Sequence, residues 1–225
     1  MKIGVRQAAN LLDISEKTIY RWIKEKKLPS HRIGGQYRFT QGEIIEWAIE
    51  QGVNIPQNLS EEQNGTEASL YEGLRKGGIF YRIDGNDIPS VLKNVIAIIP
   101  LPEIIDRDFL FQVLLARETM GSTGIGDGIA IPHARNPIIQ HLTDPIVSLS
   151  FLENPVDFHA IDGKPVHTLF IISSPSTMAH LQLLSKLSYI LRGSEFLEAV
   201  KKRASREEIF QTALNSERSL LQLKT

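Results

Sequence analysis

Positions 6–13 put Ala8, Leu11 and Leu12 on one side of a short amphipathic helix. Asp13-Ile14 turns the chain, and Ser15 is a good N-cap for a second helix over 16–26 whose buried side is Ile19, Trp22 and Ile23. Pro29 ends that element. Positions 31–39 then read as two short strands around Gly34-Gly35, a hairpin signal. Thr40 caps a last helix over 41–51, with Ile44, Ile45, Trp47 and Ala48 apolar.

The periodic pattern stops at 52–67, a polar stretch with Pro56 and Gly65 that reads as a linker. It resumes at Leu70. A helix is predicted over 106–117, with Phe109, Val113 and Leu114 on its buried face, and β-rich runs over 145–151 and 166–172. Helical patterns follow over 177–192, 194–202 and 205–215, the last opened by the capping-box spacing Ser205…Glu208. Strands interleaved with helices predict an α/β domain, a mixed sheet with flanking helices. The expected division is a small winged helix-turn-helix domain at 1–51, a linker at 52–67 and the α/β domain at 68–225.

Composition narrows the class. The 225 residues are 42% hydrophobic and 23% charged, with no cysteine, so thiolate metal sites, iron–sulfur clusters, disulfides and cysteine nucleophiles are excluded. The best apolar run, 91–101, is too short to span a bilayer and holds Lys93 and Asn94. The N-terminus carries no secretory pattern. A cytoplasmic protein without membrane contact is expected.

Net charge adds a second asymmetry. The total is −1, yet positions 1–40 hold nine Lys and Arg against three acids, a local +6 that leaves −7 for the remainder. Such a basic head on an acidic body suits duplex DNA as a partner. In the helix-turn-helix layout the second helix lies in a major groove and the hairpin touches adjacent backbone or minor groove. Lys17, Thr18, Tyr20, Arg21, Arg32 and Arg38 are the candidate DNA contacts. The stretch RQAANLLDISEKTIYRWIKEKKLPSHRIGGQYRFTQGEIIEWA resembles the small excisionase/MerR-type DNA-binding domain, including Thr18, Tyr20, Arg21, Pro29, Gly34, Gly35 and Arg38.

The informative stretch of the second domain is RETMGSTGIGDGIAIPHAR, from Arg117 to Arg135. Its glycines let backbone N–H groups approach an anion, so Gly121, Ser122, Thr123 and Gly124 are candidates for a phosphate loop. Pro132 stiffens the chain immediately before His133. Neither GxxxxGK[ST], GxGxxG nor HExxH is present, and no carboxylate pair is clustered. A lone histidine can be a base, a ligand or a nucleophile; an anion-friendly loop beside it favours attack on phosphorus.

GSTGIGDGIAIPHAR is similar to the active-site segment of IIA proteins of the bacterial phosphoenolpyruvate-dependent phosphotransferase system, in the mannitol/fructose and nitrogen-regulatory class. ARETMGSTG, PVDFHAIDGKPVHTLFII and HLQLLSKLS extend the resemblance over about 70–215. It implies that His133 is the phosphorylated histidine, that His180 is the second active-site histidine and that Arg117 neighbours the phosphate. The implied donor is a histidine-phosphocarrier protein. No metal ion or cofactor is implied, since the donor is already an activated phosphoramidate. His31, His141, His159 and His167 have no such support.

Three readings follow. The first is a bacterial regulator that joins a phosphorylatable IIA-like domain to a DNA-binding head and links phosphotransferase-system state to transcription. A homodimer reading paired half-sites fits this layout. The second is a plain phosphocarrier, a transferase passing phosphate to the IIB domain of a sugar permease. The third is an unphosphorylated regulator that only binds a partner protein.

Overall fold

The structure is a computed structural model that describes residues 2–51, 53, 68–134 and 142–222. All of the expected linker except Val53, together with Arg135 and His141, lies outside the described residues. The chain groups into two units, residues 1–66 and 67–225.

The first unit runs β1 (Lys2–Gly4), α1 (Val5–Leu11), α2 (Glu16–Lys24), β2 (His31–Ile33), β3 (Gln36–Thr40) and α3 (Gln41–Glu50). β3 is central and antiparallel to both neighbours, with Ile3 opposite Phe39 and Arg32 opposite Tyr37. β1 is absent from the sequence reading: three residues carry no period, and only pairing with β3 makes them a strand. Gly34 and Gly35 both have positive φ, the geometry of a type I′ hairpin turn. Ser15 caps α2 by accepting the Thr18 N–H at 3.2 Å.

α2 stops at Lys24, before the expected Lys26 and well before Pro29. Lys26 adopts a left-handed conformation, and the N–H groups of Lys26 and Lys27 return to the carbonyls of Ile23 and Trp22. That double closure ends the helix. Asp13 ends α1 in the same way, with the Ile14 N–H on the Ala9 carbonyl. The core holds Ala8, Leu12, Ile19, Leu28, Phe39, Ile44, Ile45 and Ala48. Trp22, expected to be core, is half-buried and packs its ring on Trp47 at 5.0 Å.

The second unit contains α4 (Leu70–Gly77), β4 (Ile79–Ile83), α5 (Ile88–Ile98), α6 (Arg107–Thr119), β5 (Gly124–Gly126), β6 (Ile129–Ala130), β7 (Ile146–Val156), β8 (Val166–Ser173), α7 (Thr177–Ile190), α8 (Glu195–Lys201) and α9 (Arg206–Gln222). Its sheet has the order β4-β7-β8-β6-β5. β4–β7 and β6–β8 are parallel, whereas β7–β8 and β5–β6 are antiparallel. This is the mixed sheet with flanking helices that the pattern predicts.

Side-chain caps open the helices, among them Ser69, Asp87, Asp106, Ser176 and Ser194. α4 lies so close to β7 that a Cβ at Gly77 would stand 2.2 Å from the Val147 carbonyl oxygen. Its N-terminus rests on Glu217 of α9, whose carboxylate accepts the N–H groups of Leu70 and Tyr71 and the hydroxyl of Ser69. Lys186 donates to the same carboxylate at 3.0 Å and to the Ala68 carbonyl at 2.6 Å.

Two expectations change. Phe109 is exposed, and the buried face of α6 is Leu110, Leu114, Arg117 and Glu118, because the helix turns its charged end inward. α9 runs to Gln222, past the expected 215. Among the described residues no helix is long and apolar enough to cross a membrane.

Candidate functional site

The β5–β6 hairpin turns through Gly126, Asp127 and Gly128, all with positive φ. β6 then runs parallel to β8 and delivers the chain to Pro132-His133. A Cβ at Gly128 would meet the His167 ring at 2.3 Å, and one at Gly124 would meet Ala160 Cβ at 2.7 Å. These glycines are therefore demanded by packing against β8 and the segment before it. Asp127 pairs with Lys201 at 3.2 Å.

His133 is 5% exposed, and its Nδ1 lies 2.7 Å from the Ile131 carbonyl oxygen. A carbonyl only accepts, so Nδ1 carries a proton, and in the neutral tautomer that this bond favours Nε2 is the unprotonated nitrogen. His180, 47 positions later, brings its ring to 5.5 Å from that of His133, at an interplanar angle of 41°. It does not cap α7: Ser176 does, accepting from the Ala179 N–H, and the His180 ring is buried. Burial pushes the His180 imidazole down to about 4, so it is neutral at pH 7. Arg117 is also buried, in the last turn of α6, and its Nη1 donates to the Gly121 carbonyl at 2.9 Å.

The four loop residues behave differently from an open anion cradle. The Gly121 N–H bonds the Glu118 carbonyl, the Thr123 N–H and hydroxyl both bond the Glu118 carboxylate, and the Gly124 N–H bonds Ser122 Oγ. The Ser122 hydroxyl itself donates to the Phe158 carbonyl at 2.5 Å. These donors are committed within the protein and fix the loop in place. Glu118, absent from the sequence reading, is the hub of that arrangement, and nothing in one charged residue beside Arg117 announces it. Among the described residues no cluster of His, Asp and Glu is arranged to hold a metal ion.

On the first unit, Lys17, Tyr20, Arg21 and Arg32 are exposed, whereas Thr18 and Arg38 are half-buried. The Thr18 hydroxyl sits 3.0 Å from Ser15 Oγ at the helix cap. Arg38 donates to Gln36 at 2.8 Å, with its guanidinium against Gly4. Tyr37 joins helix to hairpin: its ring meets Tyr20 edge-on at 6.2 Å, and Arg32 lies over it at 6.0 Å.

Residues 72–216 match the family described as the phosphoenolpyruvate-dependent sugar phosphotransferase system, EIIA 2. The chain belongs to that family. The IIA domain is preceded by a match to a helix-turn-helix domain over residues 3–52. The chain is 34% identical over 150 residues to a nitrogen regulatory protein of Pseudomonas aeruginosa, covering 65% of this chain and 95% of that protein. It is 30% identical over 143 residues to a fructose-specific EIIABC component of the phosphotransferase system from Bacillus subtilis, covering 62% of this chain but only 22% of that longer protein. The crystal structure of nitrogen regulatory protein IIA-Ntr from Neisseria meningitidis superposes with a TM-score of 0.53 at 29% identity, over 60% of this chain and 92% of that one.

The buried neutral His180 makes the IIA domain acid-sensitive. Its folded pKa lies below the ordinary 6.5, so the unfolded chain binds the proton first, and stability falls as pH drops from 6.5 towards about 4. That cost is about 3 kcal/mol across the window. His180→Gln should flatten the dependence of Tm on pH between those limits, as read by thermal melts at fixed ionic strength.

Proposed function

We propose that the chain is a bacterial regulator whose IIA domain accepts a phosphoryl group on Nε2 of His133 from a phosphohistidine carrier protein, in the cytoplasm, and whose first unit binds duplex DNA. The observation that carries the reading is the buried His133, with Nδ1 tied to the Ile131 carbonyl and the His180 ring beside it. In the transfer the carrier's N–P bond breaks as the Nε2–P bond forms. The carrier imidazole leaves with the electron pair, and the His133 Nδ1–H bond stays intact. Arg117 supplies positive charge to the equatorial oxygens, and His180 orients the group.

Phosphoenolpyruvate, Enzyme I and the carrier protein should together add one phosphate, seen by intact mass, acid-labile and lost in His133→Ala. A wild type that stays unmodified with cognate donors sinks the proposal. The DNA-binding half of the proposal has its own test. With four to six phosphate contacts, the first unit should bind duplex DNA with a slope of log K against log salt of about −4 to −5. Arg21→Ala should cost about 1–3 kcal/mol at a specific site if Arg21 reads a base edge. We propose that phosphorylation shifts this DNA affinity, measured by titrating one operator fragment with phosphorylated and unmodified protein. Passing the phosphoryl group on to a IIB domain is the competing use of the same site, and a purified IIB domain that strips it from His133 would favour that use.

A further inference from the structure

We propose that Glu118 is a positioning residue for His133, setting the tautomer and bearing of the imidazole through Thr123 and Ile131; this rests on His133 being the phosphoryl acceptor. A neutral imidazole has two tautomers, and only the one protonated at Nδ1 leaves Nε2 as the nucleophile. The Ile131 carbonyl selects it, at 2.7 Å from Nδ1. What, then, holds the Ile131 peptide?

The sheet does not. β6 ends at Ala130, and its ladder with β8 covers Ile129 opposite Thr168 and Ala130 opposite Leu169. The Ile131 N–H instead bonds the Thr123 carbonyl at 3.0 Å. Thr123 is in turn gripped from two sides by one carboxylate: its N–H meets Glu118 Oε1 at 2.8 Å and its hydroxyl meets Oε2 at 2.5 Å. Glu118 and Thr123 are both buried. The path from α6 to the ring is therefore a run of short contacts: carboxylate to Thr123, Thr123 carbonyl to Ile131 N–H, Ile131 carbonyl to Nδ1. Loosening its first link frees the peptide that chooses the tautomer. Arg117 precedes Glu118 in the last turn of α6 and is tied to Gly121 of the same loop.

Long-range 1H–15N imidazole spectra of the full chain at neutral pH read the tautomer directly, and single-turnover uptake from the phosphocarrier reads the rate. Wild type should show His133 protonated at Nδ1 alone. Glu118→Ala should give mixed tautomers and uptake slowed about 10–100-fold, with KM for the carrier unchanged, since the ring and not the docking surface is displaced. Thr123→Val, which keeps the N–H bond but loses the hydroxyl, should do the same about 3–10-fold. Glu118→Gln and Thr123→Ser should stay near wild type, because an amide carbonyl still accepts the N–H and a hydroxyl can turn to accept from the amide. Wild-type tautomer and rate in both Glu118→Ala and Thr123→Val overturn the inference. If thermal melts show that Glu118→Ala does not fold, Thr123→Val alone decides. Should wild type take up no phosphate at all, the acceptor reading fails while the tautomer comparison still judges Glu118. Should wild type be phosphorylated on His133 and all variants keep its tautomer, only the positioning role fails.

Discussion

An Arg117→Ala protein should accept phosphoryl groups about 10²–10³ times more slowly than wild type, the usual loss when one preorganised donor facing developing charge is removed. Arg117 is buried at the end of α6 and bound to the Gly121 carbonyl, so its side chain is held before any phosphate arrives. Little reorganisation is then left for the moment of transfer. Arg117→Lys keeps the charge but loses the planar fork that matches phosphate oxygens, and should recover only part of the rate. Rapid-quench transfer from labelled phosphocarrier separates the two variants. Equal rates in wild type and Arg117→Ala would remove Arg117 from the chemistry.

Glu217→Ala should be the most destabilising polar substitution proposed for the IIA domain, at about 3–5 kcal/mol. It removes the acceptor for the Ser69 hydroxyl and the Leu70 and Tyr71 N–H groups, and it deprives Lys186 of its carboxylate partner. Burial alone pushes the Glu217 carboxyl up; the Lys186 charge and the α4 N–H donors outweigh it and leave the group below the ordinary carboxylate range. A depressed carboxyl stabilises the fold above its unfolded pKa, near 4.3, and that contribution is lost as pH falls below it. Urea unfolding at pH 7 and at pH 3 should therefore show a smaller difference between wild type and Glu217→Gln at the lower pH. A pH-independent difference would mean that the carboxylate charge is not what matters there.

Sequence pattern located the helices of the first unit, the hairpin and the two long strands of the IIA domain, since each buries a periodic face or needs Gly34-Gly35. It missed what depends on a distant partner. β1 is a strand only because β3 accepts it; α2 ends at Lys24, short of the expected Lys26, because carbonyls of its own last turn capture the N–H groups of Lys26 and Lys27. At the site, the motif brought out His133, His180 and Arg117 individually. The pairing of the two rings across 47 residues, and the inward turn of the Ser122 and Thr123 hydroxyls, follow from tertiary packing that no local spacing encodes. Phe109 failed for a related reason: α6 buries Arg117 and Glu118, which a purely apolar face would not include.

Asp13 and Lys26, the left-handed residues at the ends of α1 and α2, give the helix-turn-helix unit two joints without a glycine pivot. Each joint is latched by a pair of backbone hydrogen bonds, and the Tyr20–Tyr37 contact braces helix against hairpin. In the proposed complex with DNA such a unit would meet the duplex already shaped, so little backbone freedom would be surrendered on docking. Choice between DNA sequences then falls to side chains of fixed bearing, and sites that demand a bent or reshaped reader are disfavoured by rigidity alone.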